Sequence, residues 1–303
     1  MVSSLQWLVR WRWACSMPVQ RLFNAFLFAF FYFNRSCNYS ICCIICIFFC
    51  SRSLPSENYN ADMEDDDEEG CFAEPSWPHL SIVYETLLRV VQSNEIDLSI
   101  KKKYIDSRFV VRLLDLFNSQ DMREREYLKT ITHRIYGKLT NRRALIRRSI
   151  SNIFFDFIYE TEKHAGIAEL LEILGSIING FAVPVKADHV KLLESALIPL
   201  HKVKSMQLYH AHLVYCMAQY IEKEQRFAIP IIGGILKFYP YGNTGKELLF
   251  LEELCELIEV LSPATLAEVE VPIYTRLAQC IEGDHFQIAE KAVSDQIDVG
   301  LWW

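Results

Sequence analysis

Residues 128–148, LKTITHRIYGKLTNRRALIRR, hold seven Lys and Arg side chains, one histidine, one tyrosine and no carboxylate. Three chemistries fit such a strip: catalysis through His133, a grip on nucleic acid phosphates, or capture of an acidic peptide. Catalysis fits worst. An imidazole base needs a nucleophile beside it and an acceptor that orients its ring, and the strip offers His133 no such carboxylate. His164, His189, His201, His210, His212 and His285 are dispersed, and His210 and His212 stand two apart, so a helix turns them to different sides. No Cys and His spacing matches a metal site. The sequence points away from an enzyme and requires no cofactor or metal.

Nucleic acid fits little better. Arg134, Lys138 and Arg142, then Arg143 and Arg147, recur at four-residue steps, but Gly137 and a turn near Thr140–Asn141 divide the series between two helices. The chain as a whole has a net charge of −7, whereas nucleic acid recognition asks for a strongly basic domain. Charge is also divided along the chain. Residues 101–148 contain 14 Lys and Arg against 5 Asp and Glu, a net of +9. Residues 149–293 contain 11 against 19, a net of −8. Such asymmetry implies charged partners on different faces, or merely a solvated basic face.

An acidic peptide is the third option. Arg134 and Arg143 can each give a carboxylate or phosphate two parallel hydrogen bonds, and Tyr136 adds a ring with a polar tip. Ile173 and Ile177 stand one helical turn apart in the next helix but one. In a stack of paired helices, helices n and n+2 are surface neighbours, so the isoleucines would form an apolar socket beside a basic rim. On residue types alone, the solvated face and the peptide wall both stay open.

The elements that must hold these residues are helical. From Trp77 onward, apolar residues recur at three- and four-residue spacing. Residues 77–93 put Leu80, Val83, Leu87 and Val91 on one stripe. Residues 108–117, 123–139 and 144–160 follow the same rule. In 167–181, Ile167, Leu170, Leu171, Leu174, Ile177 and Ile178 face inward. Further helices are predicted over 189–200, 208–224, 228–239, 246–261 and 264–282, separated by NGFAVP, IPLHKVK, FYPYGNTGK and LSPAT. No alternating strand pattern or glycine-rich phosphate loop competes. The expected fold is all-α, a HEAT-like α-solenoid of antiparallel helix pairs; a globular all-α domain is the alternative on pattern alone.

The two ends read differently. Six of the ten cysteines fall within residues 1–50, where the apolar runs 22–33 and 41–50 flank NRSCNYS. Neither run reaches the ~20 residues that span a bilayer, so a membrane role is not expected. A translated non-coding segment is the preferred reading of residues 1–60, ahead of an anchor or a cleaved targeting peptide. The run EDDDEE at 64–69 marks a self-repelling linker. The expected domains are an atypical N-terminus and linker over 1–74, a helical repeat domain over 75–293, and a tail over 294–303. That tail, SDQIDVGLWW, is expected to interrupt the last helix after Val293, since Val-Ser can be encoded by a splice-donor-like GTGAGT. Single cysteines among apolar neighbours indicate reduced, buried thiols, hence a reducing compartment, cytoplasmic or nuclear.

The text WPHLSIVYE, KKYID, EREYLKTITHRIYGKL, SNIFFDFIYETE, GIAELLEILGSIINGFA, PLHKVKS and HFQIAE closely resembles the B-prime family of protein phosphatase 2A regulatory subunits over residues 76–293. The resemblance implies a HEAT-like superhelix that binds the scaffold and catalytic subunits and recruits substrates through a short motif, Leu-x-x-Ile-x-Glu. It places the motif's isoleucine against Ile173 and Ile177, its glutamate against His133, Tyr136 and Arg143, and acidic or phosphorylated flanks near Arg134. Asp156 and the stretch NRRAL depart from the family pattern. The family continues with further repeats beyond Val293, so a second expectation is a motif-binding protein that does not assemble the phosphatase.

Overall fold

The computed structural model describes residues 74–283 and 285–298, and the side chains to Ser294. The expectations for residues 1–73 and 299–303 lie outside the described residues. Among those described, every regular element is a helix and none is a strand, so the all-α expectation holds. The described residues divide into two compact units, one of residues up to 116 with 120–142, the other of residues 117–119 with those from 143 on.

The first unit contains α1 (Trp77–Gln92), α2 (Leu98–Tyr104), α3 (Ser107–Asp115) and α4 (Met122–Lys138). Its core rests on α1 against α4. The inward stripe of α1 is Leu80, Tyr84, Leu87 and Val91. Tyr84 therefore takes the place expected of Val83, because its ring packs at a tilt between Trp77 (6.3 Å) and Tyr127 (6.1 Å) and its hydroxyl donates to the buried Glu124. The stretch after Glu95 holds a helix not foreseen, α2, capped by Asp97 accepting from the Ser99 amide. The Lys101 ammonium is buried and donates to the Val91 carbonyl at 3.1 Å and to that of Ser93, closing the carbonyl end of α1.

The second unit contains α5 (Arg143–Asp156), α6 (Ile167–Asn179), α7 (Ala187–Leu192), α8 (His210–Lys223), α9 (Ala228–Lys237), α10 (Thr244–Glu259), α11 (Pro263–Ile281) and α12 (Phe286–Asp298). Here α6 packs on α8, α8 on α10, α10 on α12, and α9 on α11. This neighbour-to-next-neighbour packing is that of a helical repeat. All six inward residues expected of α6 are buried. At Gly175 a Cβ would lie 2.7 Å from the Tyr215 ring, so glycine permits the close approach of α6 and α8.

Two expectations change. IPLHKVK is no surface separator: 3-10 turns at Ile198–Lys202 and Lys204–Leu208 pass through the core, with Leu200, His201 and Val203 buried. The last helix does not stop at Val293 but runs on to Asp298. No described helix is long and apolar enough to cross a membrane.

Candidate peptide-binding site

α4 starts where Asp121, fully buried, accepts from the Arg123 amide at 2.9 Å and from the Glu74 amide at 2.9 Å. Burial alone would raise the Asp121 carboxyl, but the Arg123 guanidinium and these amides hold it down to about 2. Leu128, Ile131, Thr132 and Ile135 turn inward. The same 3.6-residue period puts His133 and Arg134 in solvent and leaves Tyr136 half-buried. A Cβ at Gly137 would meet nothing within 4 Å among the described residues, and Gly137 itself is exposed. Arg134 has no hydrogen-bond or ion-pair partner among the described residues.

The structure separates the seven cations by job. Lys129 pairs with Glu126 at 2.9 Å. Lys138 donates to the Gln92 carbonyl and to Asn94 Oδ1 at 3.1 Å. Arg142 donates from Nε to the Ile105 carbonyl at 3.2 Å and from Nη1 to Ser107 Oγ at 2.9 Å. Lys138 and Arg142 thus tie the end of α4 to α1 and to the α2–α3 loop. Between them the helix ends at Leu139 and a 3-10 turn spans Thr140–Arg142, so the basic series is divided as expected. The other three, Arg143, Arg147 and Arg148, lie on α5.

The expected site residues fall into two sets. His133, Arg134 and Tyr136 belong to α4 of the first unit; Arg143, Ile173 and Ile177 belong to the second. Arg143 is half-buried at the first position of α5. Ile173 and Ile177 share one face of α6 but are only 2% and 4% exposed, so the apolar surface they present is small. The reason is the density of apolar residues on α6, seven of whose Ile and Leu side chains are buried.

Sequence spacing gave no hint of two clusters in the second unit. His189 stacks on Phe181 with ring centres 3.7 Å apart, and its Nδ1 is buried without a partner among the described residues. Burial first, then the charges of Arg147 and Lys186, lower its pKa. Arg147 on α5 and Lys186 just before α7 thus act on the ring together, and Asp188 opposes them. Deeper in the core, Glu253 is fully buried on α10 and accepts from His201 Nε2 at 2.9 Å and His210 Nε2 at 3.3 Å. Sequence separations of 52 and 43 hid that meeting.

The family profile described as Protein phosphatase 2A regulatory B subunit (B56 family) matches residues 32–295. The chain belongs to the B56 family. The match begins upstream of the start expected near Pro75. The B' beta isoform of the Arabidopsis thaliana 57 kDa regulatory subunit is 52% identical over 245 residues, 80% of this chain and 49% of that protein. The 56 kDa delta isoforms of Oryctolagus cuniculus and Homo sapiens are 52% identical over 243 residues, 80% of this chain and 42% and 40% of theirs. The chain thus spans about half or less of the length of these curated relatives, all named as regulatory rather than catalytic subunits.

Proposed function

We propose that this B56-family chain is a non-catalytic regulatory subunit of protein phosphatase 2A. In this reading it binds the scaffold and catalytic subunits and selects substrates carrying Leu-x-x-Ile-x-Glu motifs. The observation that carries it is the 52% identity, over 80% of the chain, to proteins named as regulatory B' subunits. The motif's glutamate would be met by His133, Tyr136 and Arg143, its isoleucine by Ile173 and Ile177, and acidic flanks by Arg134. The outward placement of His133 and Arg134 supports that assignment on α4. Charge-assisted hydrogen bonds of this kind contribute roughly 1.5–3 kcal/mol each, so a few of them sustain a reversible contact of about micromolar strength.

The test has two arms. Calorimetry with a Leu-x-x-Ile-x-Glu peptide should show binding that weakens at least about tenfold in Arg143→Ala or His133→Ala, the equivalent of ~1.4 kcal/mol. Unchanged affinity in both variants removes this site. Co-purification with scaffold and catalytic subunits tests assembly; peptide binding without co-purification would limit the chain to motif capture.

A further inference from the structure

α3 is divided cleanly around its axis. Phe109, Val110, Leu113 and Leu114 are buried, while Ser107, Arg108, Val111, Arg112 and Asp115 are exposed. At 3.6 residues per turn the exposed five fill one continuous arc. Arg108 and Arg112 stand four apart on it, so their side chains emerge about 5–6 Å from each other. Arg142 flanks the first residue of the arc. Its guanidinium is held by the Ile105 carbonyl at 3.2 Å and donates to Ser107 Oγ at 2.9 Å. Three guanidinia thus belong to one face of a single short helix. Asp115 ends the arc and feels the charge of Arg112, but no hydrogen bond or ion pair joins the two among the described residues.

The other cations of the first unit are engaged or stand alone. Arg89 pairs with Glu85, Arg123 with Asp121 and Lys129 with Glu126. Arg125 donates to the Gln120 carbonyl, Lys138 to the Gln92 carbonyl, and the buried Lys101 closes α1. Lys103 lies over the Tyr104 ring. Lys102, Arg108, Arg112 and Arg134 remain exposed without a hydrogen-bond or ion-pair partner among the described residues. Of these, only Arg108 and Arg112 share a helix and stand one turn apart. Residues 98–116 as a whole carry five Lys and Arg against two Asp.

We propose that the Arg108–Arg112 face of α3 docks an extended acidic segment of a partner protein, with carboxylates at alternate positions. Alternate side chains of an extended chain leave on the same side, ~6.6–7 Å apart, which matches one turn of α3. Neighbouring acids would point to opposite sides. Guanidinium forks suit carboxylates, which they can bind through two parallel hydrogen bonds. The face is too short for a nucleic acid, whose binding grows with the number of phosphates neutralised. It is equally unlike a membrane face, since Val111 is its one apolar residue, 39% exposed, and Asp115 would repel anionic lipid. Neither arginine belongs to the proposed motif site, so the two readings stand or fall separately.

The probe is a short rhodamine-labelled Gly-Ser peptide with a central Glu-Ser-Glu, read by anisotropy on the full chain at low salt. Arg108→Gln with Arg112→Gln should weaken its binding at least about fivefold and leave the unfolding midpoint unchanged. Lys163→Gln with Lys191→Gln removes the same charge from exposed lysines of the second unit. That control should change the affinity less than about twofold. An isomeric peptide with Glu-Glu-Ser should bind the parent a few-fold more weakly. Equal losses in the two double variants, unchanged affinity in the arginine variant, equal binding of the two isomers, or no binding by the parent overturns the proposal. So does a single-stranded oligonucleotide or a phosphatidylserine vesicle that binds the parent more tightly than the peptide and loses that binding in the arginine variant.

Discussion

Glu253→Gln removes a charge at the centre of the second unit while keeping the side chain's shape. In the parent, His201 donates from Nδ1 to the Ile198 carbonyl at 2.8 Å and from Nε2 to Glu253 at 2.9 Å. Both ring nitrogens act as donors, so the ring is an imidazolium. Burial opposes that charge, and so does Lys246, whose ammonium donates to the His201 and Val203 carbonyls at 2.7 and 2.8 Å. The Glu253 carboxylate outweighs both and raises the His201 pKa. Burial would likewise raise Glu253, yet the His201 and His210 contacts hold it down to about 2. Removing one partner of a buried pair costs about 3–5 kcal/mol; with glutamine still able to accept one bond, the loss should be about 2–4 kcal/mol. For a unit of this size that is roughly 4–16 °C in Tm. The pH dependence follows from the two signs. Glu253, depressed, stabilises above its ordinary 4.5, and that contribution is lost as pH falls toward about 2. His201, raised, stabilises fully below its ordinary 6.5, and that contribution is lost as pH rises through its higher folded value. Urea unfolding from pH 3 to 9 should show the parent's advantage over the variant greatest between about 4.5 and 6.5 and declining on both sides. A loss below about 0.5 kcal/mol, or a difference independent of pH, would refute the charged network.

Arg142→Ala should destabilise the first unit by about 1–2 kcal/mol in denaturant, since the Ile105 carbonyl and Ser107 lose their donor. Arg134→Ala should change stability by less than about 0.5 kcal/mol while weakening the peptide; equal effects of the two would undo the division of the strip into structural and outward cations. Gly166→Ala should cost about 2–3 kcal/mol or block folding, because the added Cβ would sit 2.3 Å from the Phe117 carbonyl oxygen and backbone cannot yield as a side chain does. Asp121→Ala should uncap α4 and strand the Glu74 amide, with the parent's advantage present above the carboxyl's ordinary 3.8 and disappearing as pH falls toward about 2.

Periodicity exposed most of this fold because a helix imposes its pattern every three or four residues, whatever it packs against. It failed where packing chose between neighbours. Val83 and Tyr84 both fit the edge of the α1 stripe; only the Trp77 and Tyr127 rings, and Glu124 to receive the hydroxyl, select Tyr84. IPLHKVK reads as a breaker because it combines Pro199 with two lysines, yet its backbone is buried: Lys246 from α10 satisfies two of its carbonyls. Both errors have one cause, that the deciding partner lies on another element.

The basic strip shows the same division at the level of the site. Its charge was plain in the sequence, but charge does not distinguish a cation that fastens a loop from one that faces solvent. Lys138 and Arg142 differ from Arg134 only through Gln92, Asn94, Ile105 and Ser107, residues at least 35 positions away. Once those two are spent on the end of α4, the four-residue ladder that suggested a nucleic acid stripe no longer exists as a free surface. Of the strip's cations on α4, Arg134 alone is exposed with no hydrogen-bond or ion-pair partner among the described residues. One such cation is too little for a phosphate backbone, which needs several in register to release its counterions.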